Sequence, residues 1–141
     1  MPPPLAGRRP STGMVRTGTY FCWHCYARNP HERGACVVCG RPIERPAGAS
    51  YTDELIWALD HPLAGRQMIA AQVLGQRREV SAEQPLRRLV READPYLAAE
   101  ALHSLTLIVG VQRLSGLLEE LVRTGAPAVS HVARQALAAG S

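Results

Sequence analysis

The stretch from Tyr20 to Gly40, YFCWHCYARNPHERGACVVCG, holds all four cysteines of the 141-residue chain. Cys22 and Cys25 are separated by two residues, as are Cys36 and Cys39, and ten residues lie between the pairs. Two intervening residues let the N–H groups of a tight knuckle point at the sulfurs. The longer loop then brings the second pair round to close a tetrahedron of Zn–S bonds of about 2.3 Å. The chemistry expected of this spacing is a structural Zn²⁺ held by four thiolates, a filled shell with no position left for a substrate. Thioredoxin-like redox chemistry and an iron centre stay open as alternatives. The redox reading expects one such pair in a βαβ context, and no such pattern surrounds these cysteines. His24 and His31 stand beside them as substitute ligands that four well-spaced cysteines make unnecessary.

Other residues with chemical potential are sparser. Glu100 and His103 form Glu-x-x-His on one expected helix, half of a di-iron motif, but no second copy follows. The sequence contains no Gly-x-Ser-x-Gly elbow, phosphate loop or His-Glu-x-x-His. These observations argue against an enzyme. Arg77, Arg78, Arg87, Arg88 and Arg91 make the densest basic cluster, readable as a site for an acidic or phosphate-bearing partner. The simpler reading is surface pairing with Glu79, Glu83 and Glu92, which interrupt the field.

Charge is unevenly placed. All sixteen basic residues are arginine, and the formal net charge is +4. Residues 1–18 carry three arginines and no acid, whereas from Pro46 onward nine arginines face ten acids. Four thiolates on one Zn²⁺ would lower the total to about +2. No run approaches the roughly 18 apolar residues of a membrane span, and the N-terminus lacks the apolar stretch of a secretory signal. The expectation is a soluble, cytoplasmic protein whose cysteines are not disulfide-bonded.

The surrounding sequence must position these groups. Residues 1–18, rich in Pro, Gly, Arg and Ser/Thr, read as a flexible arm, 19–45 as the cysteine module and 46–50 as a linker. From 51 to 141 the apolar period becomes helical. Thr52 is the expected N-cap of a short first helix. Pro62 is expected at the first position of the second, with Gly75 as its stop, and Ser81 with Gln84 as a capping box for the third. Asp94 and Pro95 open a fourth helix that is apolar nearly all round and so expected at the centre. Val111, Leu114, Leu118, Leu121 and Val122 stripe a fifth ending at Gly125, and Pro127 opens a sixth. On this last helix, Ala128, Val129, Val132, Ala133, Ala136 and Leu137 read equally as an end face for a partner or as a stripe spent on the preceding pair.

Pro62, Pro95 and Pro127 lie 33 and 32 residues apart, so six helices fall into three pairs. ALDHPLAGRQMIAAQVLG and READPYLAAEALHSLTLIVG resemble the HEAT repeat, in the short form of phycobilisome-lyase-like proteins. That resemblance implies an all-α, short α-solenoid of about three helix pairs and a protein-binding adaptor role. Tyr20, Cys22, Cys25, Asn29, Cys36 and Cys39 in order resemble the Ran-binding-protein-type zinc finger, with tyrosine where that family has tryptophan. RGACVVCGRPI equally resembles bacterial zinc ribbons, with Tyr26 where their first knuckle carries glycine. Either resemblance implies a two-hairpin, zinc-centred finger. RNA-binding fingers of the first type imply that Trp23, Tyr26, Arg28 and Arg33 stack on and pair with bases. The alternative is that Trp23 and Tyr26 cover a small finger. The expected partner is another protein, with RNA or DNA as the second reading.

Overall fold

The computed structural model describes residues 20–140, so the expected N-terminal arm lies outside the described residues. The chain divides into two compact units between Ala49 and Ser50.

The first unit is built from very short strands, because each cysteine pair needs a turn rather than extended chain. β1 (Tyr20–Phe21) and β2 (Arg28–Asn29) are antiparallel, with Tyr20 opposite Asn29 and Phe21 opposite Arg28. A second, minimal hairpin is marked by the bridge between Ala35 and Pro42. Its buried apolar cluster is Cys22, Cys36 and Ile43, with Tyr20 and Ala27 packed against it. So small a cluster is far short of what a metal-free fold needs. The chain leaves through a turn in which the Ala49 N–H donates to Pro46 O and Gly48 takes a left-handed φ of 92°.

The second unit contains six helices. α1 is Tyr51–Ala58, α2 Ala64–Gln76, α3 Glu83–Glu92, α4 Pro95–Val109, α5 Val111–Thr124 and α6 Pro127–Gly140. Three local expectations are corrected. Ser50, not Thr52, caps α1: its side chain accepts from the Asp53 N–H while the Asp53 carboxylate accepts from the Ser50 N–H. Asp53 at the third position completes that reciprocal box, and the Thr52 hydroxyl donates instead to Glu79. Pro62 precedes α2 rather than opening it. Leu63 is the extended cap residue, and its N–H donates to His61 Nδ1 at 3.1 Å. Ser81 lies inside a 3-10 turn (Val80–Ala82), which places Ala82 at the cap of α3 and leaves Ser81 and Gln84 without a capping box.

Gly75 is also corrected, for a reason of packing. It lies within α2, fully covered, and a Cβ there would sit 2.5 Å from Ser104 Oγ and 2.9 Å from Ser104 Cα. Glycine is present because α2 and α4 touch backbone to backbone, and Ser104 Oγ donates to Ala71 O at 2.6 Å across the same contact. The stop of α2 comes later, at Arg78, a non-glycine residue with φ 54°. The Arg78 N–H donates to Gly75 O and the Glu79 N–H to Leu74 O, the paired bonds of a Schellman ending.

The Asp94 cap and Pro95 are as expected, with the Asp94 carboxylate accepting from the Tyr96 and Leu97 N–H groups. α1 packs on α2, α3 on α4 and α5 on α6, while α2 and α6 flank α4. α4 therefore takes the central place its apolar sequence predicts, burying Leu97, Ala98, Ala101, Leu102, Ser104 and Leu105. α2 and α4 run in the same direction, since Gln72 meets Glu100 and, further along both, Arg78 meets Leu107 O. Val129, Ser130 and Ala133 of α6 are buried against the unit, while Val132, Ala136 and Leu137 are half-buried. Much of the expected end-face stripe is thus spent internally.

Two outcomes follow from these contacts. Gly75→Ala is expected to destabilise the helical unit by about 1–3 kcal/mol through overpacking. Gly116→Ala, at an open position of α5, is expected to stabilise it by about 0.5–1 kcal/mol. Urea unfolding followed by circular dichroism reads both signs. His61 is 3 % exposed, and burial, then the Arg66 charge, lowers its pKa from the ordinary value. Since the unfolded chain takes up the proton more readily, stability is full above the unfolded pKa of about 6.5 and falls as pH drops toward the folded value. The urea midpoint should decline from about pH 7.5 to about pH 5.5. His61→Gln should flatten that decline.

Candidate metal centre

The two cysteine pairs fold into knuckles that repeat one another bond for bond. In the first, the His24 N–H donates to Cys22 Sγ at 3.3 Å and the Tyr26 N–H to Cys22 O at 3.0 Å. In the second, the Val38 N–H donates to Cys36 Sγ at 3.3 Å and the Gly40 N–H to Cys36 O at 3.0 Å. The Cys22 N–H then reaches Ala27 O, and the Cys36 N–H reaches Arg41 O. After each pair the chain must turn through the left-handed region. Gly40 does so with φ 78°, and Tyr26 does so with φ 65° despite its side chain. Lacking glycine, the first knuckle keeps the same turn at a backbone cost of about 1–2 kcal/mol.

All four Sγ atoms lie within 4.8 Å of one another. Cys22 and Cys39 approach to 3.7 Å, and Cys25 and Cys36 to 3.6 Å. A tetrahedron with Zn–S bonds of about 2.3 Å has edges of about 3.8 Å. A disulfide needs about 2.05 Å, and all four thiols are free. The donor set and its spacing therefore fit a metal ion, and suit Zn²⁺. Among the described residues this is the one cluster of three or more metal-binding side chains.

The electrostatics agree. The Cys39 N–H above all, followed by the Asn29 amide and the Val38 N–H, outweighs desolvation and holds the Cys36 thiol down to about 6. At Cys25 the Ala27 N–H pulls the same way, but desolvation and the three neighbouring thiols push it up to about 12. Once one thiolate has formed, its neighbours hold their protons unless a cation neutralises the cluster, which is the service a dication would provide. Cys22 and Cys36 are buried while Cys25 and Cys39 are exposed.

Asn29 is the site residue whose role the spacing alone did not reveal. Fully buried, its Oδ1 accepts from the Val37 N–H at 2.8 Å, and its Nδ2 donates to Ala27 O at 3.0 Å and faces Cys36 Sγ at 3.5 Å. One amide thus ties β2 to the second knuckle. The signal was present in the sequence as an asparagine four residues after Cys25, but its bonds join segments seven and eight residues apart. His31 Nε2 donates to Ala35 O at 2.9 Å, and the His24 side chain is exposed. Neither belongs to the cluster.

Of the other singled-out residues, Trp23 and Tyr26 are half-buried on the finger, and the Trp23 N–H donates to Ile43 O. Arg28 lies with its guanidinium carbon 5.6 Å from the centre of the Phe21 ring, and Arg33 is exposed. In the helical unit, Arg87 pairs with Glu83, Arg88 with Asp60 and Glu92, and Arg91 with both carboxylate oxygens of Glu120 at 2.8 and 3.2 Å. Arg77 pairs with Glu79 and lies over the Tyr51 ring, while Arg78 donates to Leu107 O. The densest basic cluster is thus already engaged within its own unit.

Purified under reducing conditions, the protein should carry one zinc per chain and lose it on Cys→Ser substitution at any of the four positions. Chelation should unfold the finger and leave the helical circular dichroism in place. Asn29→Ala should weaken zinc retention by about 10–100-fold in chelator competition, the usual cost of removing a group that orients a ligand. Compared with family models, curated proteins and solved structures, the chain matches none.

Proposed function

We propose that the chain is a non-catalytic, cytoplasmic adaptor: a structural Zn(Cys)₄ finger joined to a short HEAT-like α-solenoid that offers a surface to another protein. One observation carries the reading. The three helix pairs are linked by side chains 27 to 33 residues apart, as in Thr52–Glu79, Asp60–Arg88, Gln72–Glu100, Arg91–Glu120 and Ser104–Ala71. Links that recur at the length of one helix pair are what a stacked repeat requires. A four-cysteine shell has no open coordination position, which supports a structural rather than catalytic metal. No helix among the described residues is long and apolar enough to cross a membrane.

A protein is favoured over nucleic acid as the partner. From Tyr20 to Arg45, four arginines are balanced by two glutamates and by a zinc-thiolate centre of charge about −2, so the finger offers no net field to a polyanion. Its exposed large apolar residues are Val37 and Val38, at 63 % and 71 %, and valine does not stack on bases as an aromatic ring does. The deciding experiment is affinity capture with the zinc-loaded full chain, with and without nuclease, over a salt series. Capture of a protein that survives nuclease and moderate salt is expected. Material lost on nuclease treatment, with affinity falling steeply in salt, would replace this reading with the RNA or DNA one.

A further inference from the structure

A groove of about 520 Å³ runs along the surface of the helical unit. Ala99, Glu100 and His103 of α4 line one wall, and Val132, Ala136 and Ala139 of α6 the other. It extends over about two turns, roughly 12 Å, of each helix. Of the eleven residues that line it, Ala99, Ala136, Ala139 and Gly140 extend no further than Cβ, so a helix backbone can come close along the α6 side. The unit already uses this geometry where Gly75 of α2 meets Ser104 of α4.

The groove also carries a charge with no counterpart. Glu79, Glu83 and Glu120, half-buried like Glu100, each have an arginine within 4.0 Å. Among the described residues no cation reaches Glu100, and its hydrogen-bond donor is the Gln72 amide at 3.4 Å. A carboxylate with no cation beside it, set among small apolar residues, gains from a cation delivered together with apolar surface. His103, one turn along α4, adds a ring nitrogen to the same wall.

We propose that this groove seats an α-helix of a protein partner, with small apolar residues against Ala136 and Ala139 and a lysine or arginine paired to Glu100. The inference rests on the adaptor reading and deepens it, by naming the face and the chemistry of what binds there. A helix-in-groove contact gives affinity through the apolar stripe, and the single charge fixes register.

The probe is a phage-displayed library of helical peptides with one randomised face, selected on the zinc-loaded full chain. Enriched peptides should carry a lysine or arginine amid small apolar residues. They should bind Glu100→Gln about tenfold or more weakly, a loss of about 1.4 kcal/mol, while Glu119→Gln leaves binding unchanged. Ala136→Leu, which fills the groove, should weaken them similarly, with circular dichroism confirming the fold. Glu100→Gln alters only a partly exposed side chain, so it decides the matter even if Ala136→Leu fails to fold. Failure to enrich any peptide, or binding indifferent to Glu100→Gln, overturns the groove proposal. Nuclease-resistant capture in the same preparation would then leave the adaptor reading standing without it.

Discussion

A helix as apolar as α4 must be covered on most of its sides, and the helical unit is organised around meeting that demand, leaving the face of Ala99, Glu100 and His103 open to the groove. Its six buried residues lie among α2, α3 and α6, and α5 begins directly after the turn at Gly110. Losing a fully buried leucine such as Leu102 or Leu105 would cost about 2–5 kcal/mol, a large share of the stability of a small domain. Close approach matters as much as apolar area. Gly75 and Ser104 let α2 lie against α4, and the hydroxyl satisfies itself on the Ala71 carbonyl instead of competing within its own helix.

The finger solves the opposite problem, because it has too little apolar surface to fold by burial. Its two knuckles aim backbone N–H groups at Cys22 and Cys36, and Asn29 couples one hairpin to the other, so that the four sulfurs converge on one point. Holding four sulfurs so close is repulsive once they ionise, and a bound dication would offset that repulsion. The helical unit is held by apolar burial, whereas the finger carries a donor set that could centre it on a metal ion.

The ion pairs have a different part. Arg88 to Asp60 and Arg91 to Glu120 join α3 to neighbours on either side of it. Exposed pairs of this kind add little stability, but they penalise a slipped register, since each carboxylate would then face no cation. Against this background of paired charges Glu100 stands apart, in a groove.

Much was legible in the sequence because the physics is local. The paired spacing of Cys22, Cys25, Cys36 and Cys39, the Asp94–Pro95 helix start, the six helices and the centrality of α4 all follow from a few neighbouring residues or from one helical period. Where these expectations misjudged, either a neighbouring residue offered a better local bond or a distant helix intervened. Ser50 took the cap because Asp53 could answer it, Ser81 was drawn into a 3-10 turn, and Gly75 served a neighbouring helix rather than its own end. The bonds of Asn29, the pairing of Arg87, Arg88 and Arg91, and the position of Glu100 beside α6 were decided only by tertiary structure. Sequence specifies what each segment tends to do alone, whereas which side chains meet across about thirty residues depends on how the helices pack.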